Sequence, residues 1–125
     1  MFVGAHNTLK TYSLYGAPYS DPAEGDIIVE TDALAAGRYV CSIVISTVDL
    51  TDSRALFQIQ RRDSYDTANQ VTDSPLEAIP VVVPFDASRT FEIAYDLDEG
   101  ESIAVVAGET YEGTAYASIQ YQRVK

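Results

Sequence analysis

From Asp26 onward the apolar residues of this chain recur at every second position, and no stretch repeats them at helical spacing. In "RTFEIAYDL", Phe91, Ile93, Tyr95 and Leu97 share one face while Glu92 and Asp96 take the other. In "TAYASIQYQRV", Ala115, Ala117, Ile119 and Tyr121 oppose Tyr116, Ser118, Gln120 and Gln122. "ALFQIQRR" turns Ala55, Phe57 and Ile59 inward and Gln58 and Gln60 outward. "RYVCSIVISTVDL" is apolar on both faces, with Tyr39, Cys41, Ile43 and Ile45 opposite Val40, Val44 and Val48. That pattern marks a strand covered on both sides, in a core or at a subunit contact. "LEAIPVVVPF" is interrupted by Pro80 and Pro84, each lacking a ladder donor, so it belongs at a sheet edge or along an interface. Roughly seven or eight strands, with turn signals about every 8 to 12 residues, predict an antiparallel β-sandwich. The long strands, the long polar loop "DSYDTANQVTDSP" and the lack of a Cys…Trp…Cys core favour jelly-roll topology over an immunoglobulin-like one.

A chain of 125 residues, 46% apolar, is the size of one domain with one sizeable core. Its 19 acidic against 8 basic residues give a net charge of -11. Phosphate backbones and anionic lipid surfaces repel such a chain, so neither nucleic acid nor membrane is an expected partner. Cys41 is the only cysteine, which excludes an internal disulfide and a CxxC metal motif. The start "MFVGAHNTLK" lacks the basic-then-apolar pattern of a secretory signal, and the expectation is a protein made in a cytoplasm. Residues 1–25 differ from the rest, carrying Tyr12, Tyr15, Tyr19, Pro18, Pro22 and three glycines. They are expected to form an extended N-terminal arm before a 26–125 sandwich domain, docking on a neighbour through tyrosine anchors. The alternative is an ordinary first strand packed on the domain's own sheet.

Concentrated chemistry is sparse. The single histidine, His6, sits in the arm, and no nucleophile elbow, phosphate-cradling glycine loop or zinc-protease helix is present. No catalytic residue, cofactor or metal site is therefore expected. The densest charge is "DLDEGE", which superficially suggests a calcium loop. An EF-hand needs glycine sixth and glutamate twelfth. Here Gly100 is fifth from Asp96, and the twelfth position is Ala107. The better expectation is a solvated acidic hairpin tip between two strands, with Gly100 free to take a positive φ. Arg61 and Arg62 offer either a contact for an acidic partner surface or surface ion pairs worth under ~1 kcal/mol.

The stretch "FEIAYDLDEGESIAVVA" resembles the strand–turn–strand of trimeric jelly-roll domains of the tumour-necrosis-factor and C1q type, through Phe91, Leu97, Gly100, Glu101, Ile103 and Val105. "TAYASIQYQRV" resembles the closing strand of such domains. Among jelly rolls, a small acidic chain without catalytic residues and with a leading arm is similar to the tailed-phage head decoration, or cement, proteins. That resemblance implies a non-enzymatic homotrimer on a virion exterior, clamping a capsid protein. Tyr12, Tyr15 and Tyr19 are then the expected contacts, with Arg61 and Arg62 beside them. The alternatives are a carbohydrate-binding module, with Tyr65, Tyr111 and Tyr116 around a groove, and a calcium-dependent adhesion module.

Overall fold

A computed structural model describes residues 10–63, 75–84 and 86–125. His6, Tyr65 and most of the loop after Asp63 lie outside the described residues. The strands are β1 (Thr11–Tyr15), β2 (Tyr19–Ser20), β3 (Ile27–Glu30), β4 (Gly37–Val48), β5 (Arg54–Asp63), β6 (Pro75–Pro84), β7 (Ser88–Leu97), β8 (Glu101–Ala107) and β9 (Thr114–Arg123). One sheet runs β1-β9-β4-β7, with β2 also on β9, and the other runs β3-β8-β5-β6. Every pairing is antiparallel. This is the jelly-roll sandwich expected from the alternation.

The core lies where the odd-numbered faces meet. Cys41, Ile43 and Ile45 of β4, Ala115, Ala117 and Ile119 of β9, Phe57 and Ile59 of β5, and Ile103 and Val105 of β8 are all buried. Each fully buried aliphatic or aromatic side chain contributes about 1.5–3 kcal/mol of transfer free energy. One alternation breaks: Gln60, expected outward into solvent, is buried on the far face of β5, bonded to Gln58 and Arg62.

The prolines place β6 as expected. It is an edge strand paired only with β5, with Pro80 opposite Gln58 and Pro84 opposite Arg54. A proline is tolerated there because an edge strand has one side that need not supply ladder hydrogen bonds.

The segment read as an arm is divided. Thr11–Tyr15 and Tyr19–Ser20 form β1 and β2 and pair with β9. Residues 1–9 lie outside the described residues.

The acidic turn needs a correction. β7 and β8 are not a hairpin, because β7 belongs to the first sheet and β8 to the second. The turn at Asp98–Gly100 carries the chain across one end of the sandwich, and Gly100 takes φ 89° there. Leu97 and Glu101 on either side are both buried, and a crossing between layers allows that. The β3–β4 loop fixes the crossing: Gly100 N–H donates to the Leu34 carbonyl and Leu34 N–H to the Glu101 carbonyl, each at 2.9 Å.

Candidate interaction surface

The outward face of the first sheet follows from the even positions of β4. Register sets Ala94, Val40, Gln122 and Thr11 in one row across the strands. The next rows are Glu92, Ser42, Gln120 and Ser13, then Thr90, Val44, Ser118 and Tyr15. Ser88, Ser46 and Tyr116 follow. Glu92 alone among these positions is charged at neutral pH. A solvated patch of this size ordinarily holds about four or five charges. In a chain with a net charge of -11, a face almost free of charge is the clearest surface signal.

The face is also apolar in places and not flat. Val40, Tyr116 and Tyr15 are 40%, 41% and 72% exposed. A shallow concavity of about 380 Å³ lies over Val40, Ser42, Ala94 and Gln120. A second, of about 190 Å³, lies between Tyr15, Val44 and Tyr116. Charge returns at the margin, where Arg38 pairs with both Asp96 carboxylate oxygens at 3.0 and 3.1 Å. Depletion of charge at the centre with a charged rim is the composition of an association surface.

The residues singled out in the sequence scatter. Tyr15 is on the uncharged face beside Tyr116. Tyr12, on the opposite side of β1, stacks on Tyr121 with ring centroids 5.4 Å apart. Tyr19 donates its hydroxyl to Asp26 at 2.9 Å, and this bond, helped by desolvation and the Asp26 charge, holds its pKa above the usual phenol value. Arg61 donates to Glu77 at 2.7 Å and to Glu101 at 2.8 Å. Burial disfavours its charge, but these two carboxylates outweigh that and raise its pKa. Arg62 is buried, donating to Gln60 at 2.6 Å and lying 3.5 Å from Glu30.

The expected solvated cluster is likewise divided. Asp96 pairs with Arg38, Glu99 accepts from the Ala36 N–H at 3.2 Å, and Glu101 is 7% exposed. The Glu101 carboxylate accepts from Arg61 and, at 3.0 Å, from the Asp98 N–H. It is a structural anchor of the turn, which corrects the solvated reading for this residue. Among the described residues no group of three or more His, Cys, Asp or Glu is placed to hold a metal ion. The tyrosine groove does not form from the two described members: Tyr111 is buried against Phe57, whereas Tyr116 is exposed. The uncharged face itself had a sequence signal, since the polar positions alternating with the core in "SIVIS" and "ASIQYQ" are Ser and Gln.

No family model matches the chain, and no curated protein matches it. Solved structures do. The globular domain of the zebrafish complement 1qA protein matches with a TM-score of 0.61 at 10% identity, over 92% of this chain and 97% of that one. The Eiger TNF of S. frugiperda matches at 0.62 and 12% identity, over 94% and 93%. The vertex protein P5 of PRD1 matches at 0.51 and 12% identity, over 90% and 96%. At such identities the likeness is one of fold, and the chain shares the jelly-roll fold of these domains.

Proposed function

We propose that this chain is a non-enzymatic virion structural protein, a homotrimer that decorates and stabilises a capsid by binding its outer surface. The observation that carries the reading is the uncharged outward face of the first sheet. Copies with a charge of -11 repel one another. A copy packed on Val40, Val44, Tyr15 and Tyr116 avoids that repulsion and covers their apolar surface. The fold supports the reading, being shared with complement 1q and TNF domains and with a viral vertex protein. Three copies would clamp the shell by avidity, several weak contacts adding through effective concentration.

The test is co-sedimentation with undecorated capsids of the virus that encodes the chain. Deleting residues 1–25 would strip β1 and β2 from β9, so the arm is tested by deleting 1–9 alone. Binding by the intact chain that is lost with 1–9 supports decoration through the arm. Equal binding by both removes the arm, and no binding by either overturns the decoration reading.

A further inference from the structure

At the end of the sandwich where the β7–β8 turn crosses, the ends of β1, β4 and β9 and the β3–β4 loop enclose a pocket of about 320 Å³. One wall is aromatic and continuous: Tyr12 stacks on Tyr121 at 5.4 Å, and Tyr121 meets Tyr39 at 6.2 Å. Tyr39 donates its hydroxyl to the Ala35 carbonyl at 2.8 Å, which fixes both the ring and the loop opposite. The pocket's cations are Lys10 and Arg123. The Lys10 ammonium lies 5.9 Å from the Tyr12 ring centre. Arg123 occupies the space left by the missing side chain of Gly37, where a Cβ would collide with its guanidinium.

Neither cation has a carboxylate partner among the described residues, although acidic side chains outnumber basic ones 19 to 8. Two acidic groups approach the same wall. Burial pushes the Tyr121 phenol up, and Asp32 adds to the shift. Burial likewise raises Tyr39, with Arg123 opposing and Glu99 adding. A cleft offering an aromatic wall, two cations without a carboxylate partner among the described residues and the backbone of the β3–β4 loop fits a ligand with the complementary set. Such a ligand has a ring with C–H faces, one carboxylate and several hydroxyls. The volume suits a single monosaccharide unit.

From this arrangement we propose that the pocket binds a carboxylated pyranose, a uronic or sialic acid unit of a glycan. Its carboxylate sits between Lys10 and Arg123, its ring lies against Tyr12 and Tyr121, and its hydroxyls face the Ala33–Ala35 backbone of the β3–β4 loop. This site is independent of the uncharged sheet face and of the trimer.

The test is ligand-observed NMR titration of the intact chain with glucuronate, N-acetylneuraminate, glucose and benzoate. One of the acidic sugars is expected to saturate with a Kd in the millimolar range, about 1–10 mM, with glucose at least about tenfold weaker. Arg123→Gln and Lys10→Gln, both at exposed positions, are expected to weaken that binding by about fivefold or more with unchanged thermal unfolding. No saturation by either acidic sugar overturns the proposal, as does binding that both variants leave intact. Benzoate binding more tightly than both sugars overturns the saccharide assignment.

Discussion

Arg61 and Glu101 are the pair through which the second sheet holds the β7–β8 crossing, and replacing them by methionine singly and together measures that hold. Glu101 is 7% exposed and accepts two hydrogen bonds, from Arg61 at 2.8 Å and from the Asp98 N–H at 3.0 Å. Arg61→Met leaves that buried carboxylate with the Asp98 N–H as its partner. Breaking a buried pair from one side costs about 3–5 kcal/mol. The rim position, where the Arg61 side chain is 20% exposed, brings the expected cost to about 3 kcal/mol. Glu101→Met is milder, about 2 kcal/mol, because Arg61 keeps Glu77 at 2.7 Å and the Asp98 N–H is the group left without its acceptor. In the double variant no charge is stranded beside Glu101, and only the lost Asp98 acceptor remains, at about 1–2 kcal/mol. The cycle therefore predicts a coupling of about 3–4 kcal/mol. Urea unfolding of the four proteins at pH 7 and one fixed protein concentration reads it out, the concentration being held because association would add to apparent stability. Additive costs, with coupling below about 0.5 kcal/mol, would mean a solvent-screened surface pair and would refute the anchoring role.

Three further outcomes follow from the packing. Among the described residues the buried Tyr111 hydroxyl has no hydrogen-bond partner, so Tyr111→Phe is expected to raise stability by about 1 kcal/mol in urea; a loss of stability would show that the hydroxyl is satisfied. Burial pushes the Cys41 thiol up from 9.0 to about 12, so the folded state favours the protonated thiol, and its stabilisation is complete below pH 9 and lost as pH rises from there towards 12. Cys41→Val should make the fall between pH 9 and 10 shallower, because Tyr95, raised by burial from 10.0 to about 12, loses its own contribution mainly above pH 10; an unchanged slope would contradict the burial argument. Calcium at millimolar level is expected to leave the melting temperature where chelator leaves it, since Asp96, Glu99 and Glu101 are already engaged by Arg38, Ala36 and Arg61; a rise with calcium would reopen the turn as a metal site.

The fold was legible because a sandwich is written in period two. Phe57, Ile43, Tyr95 and Ile119 lie on the predicted faces, and Pro80 and Pro84 marked an edge because a missing N–H admits few other places. What local pattern does not carry is which sheet a strand joins. "FEIAYDLDEGESIAVV" has the look of a hairpin, yet β7 pairs with β4 and β8 with β5, with no paired residues nearer in sequence than Asp63 and Glu101. The site was harder to read because candidate residues were chosen by type. Arg61 stood out as a basic dipeptide and proved to be committed to Glu77 and Glu101. The uncharged face was visible only once register set Ser42 beside Gln120 and Val44 beside Ser118. The tyrosine pocket likewise needed Tyr12, Tyr39 and Tyr121, far apart in sequence, to meet across β1, β4 and β9.

The account turns on the charge-free face of the first sheet, and the solution mass tests it most directly. Sedimentation equilibrium at micromolar concentration is predicted to give about 41 kDa, three copies of the 13.6 kDa chain. Val44→Glu, which puts a charge in the middle of that face, is predicted to return the protein to 13.6 kDa without unfolding it. An intact chain that sediments at 13.6 kDa, or a Val44→Glu variant that keeps the full assembly, would contradict the role given to this face.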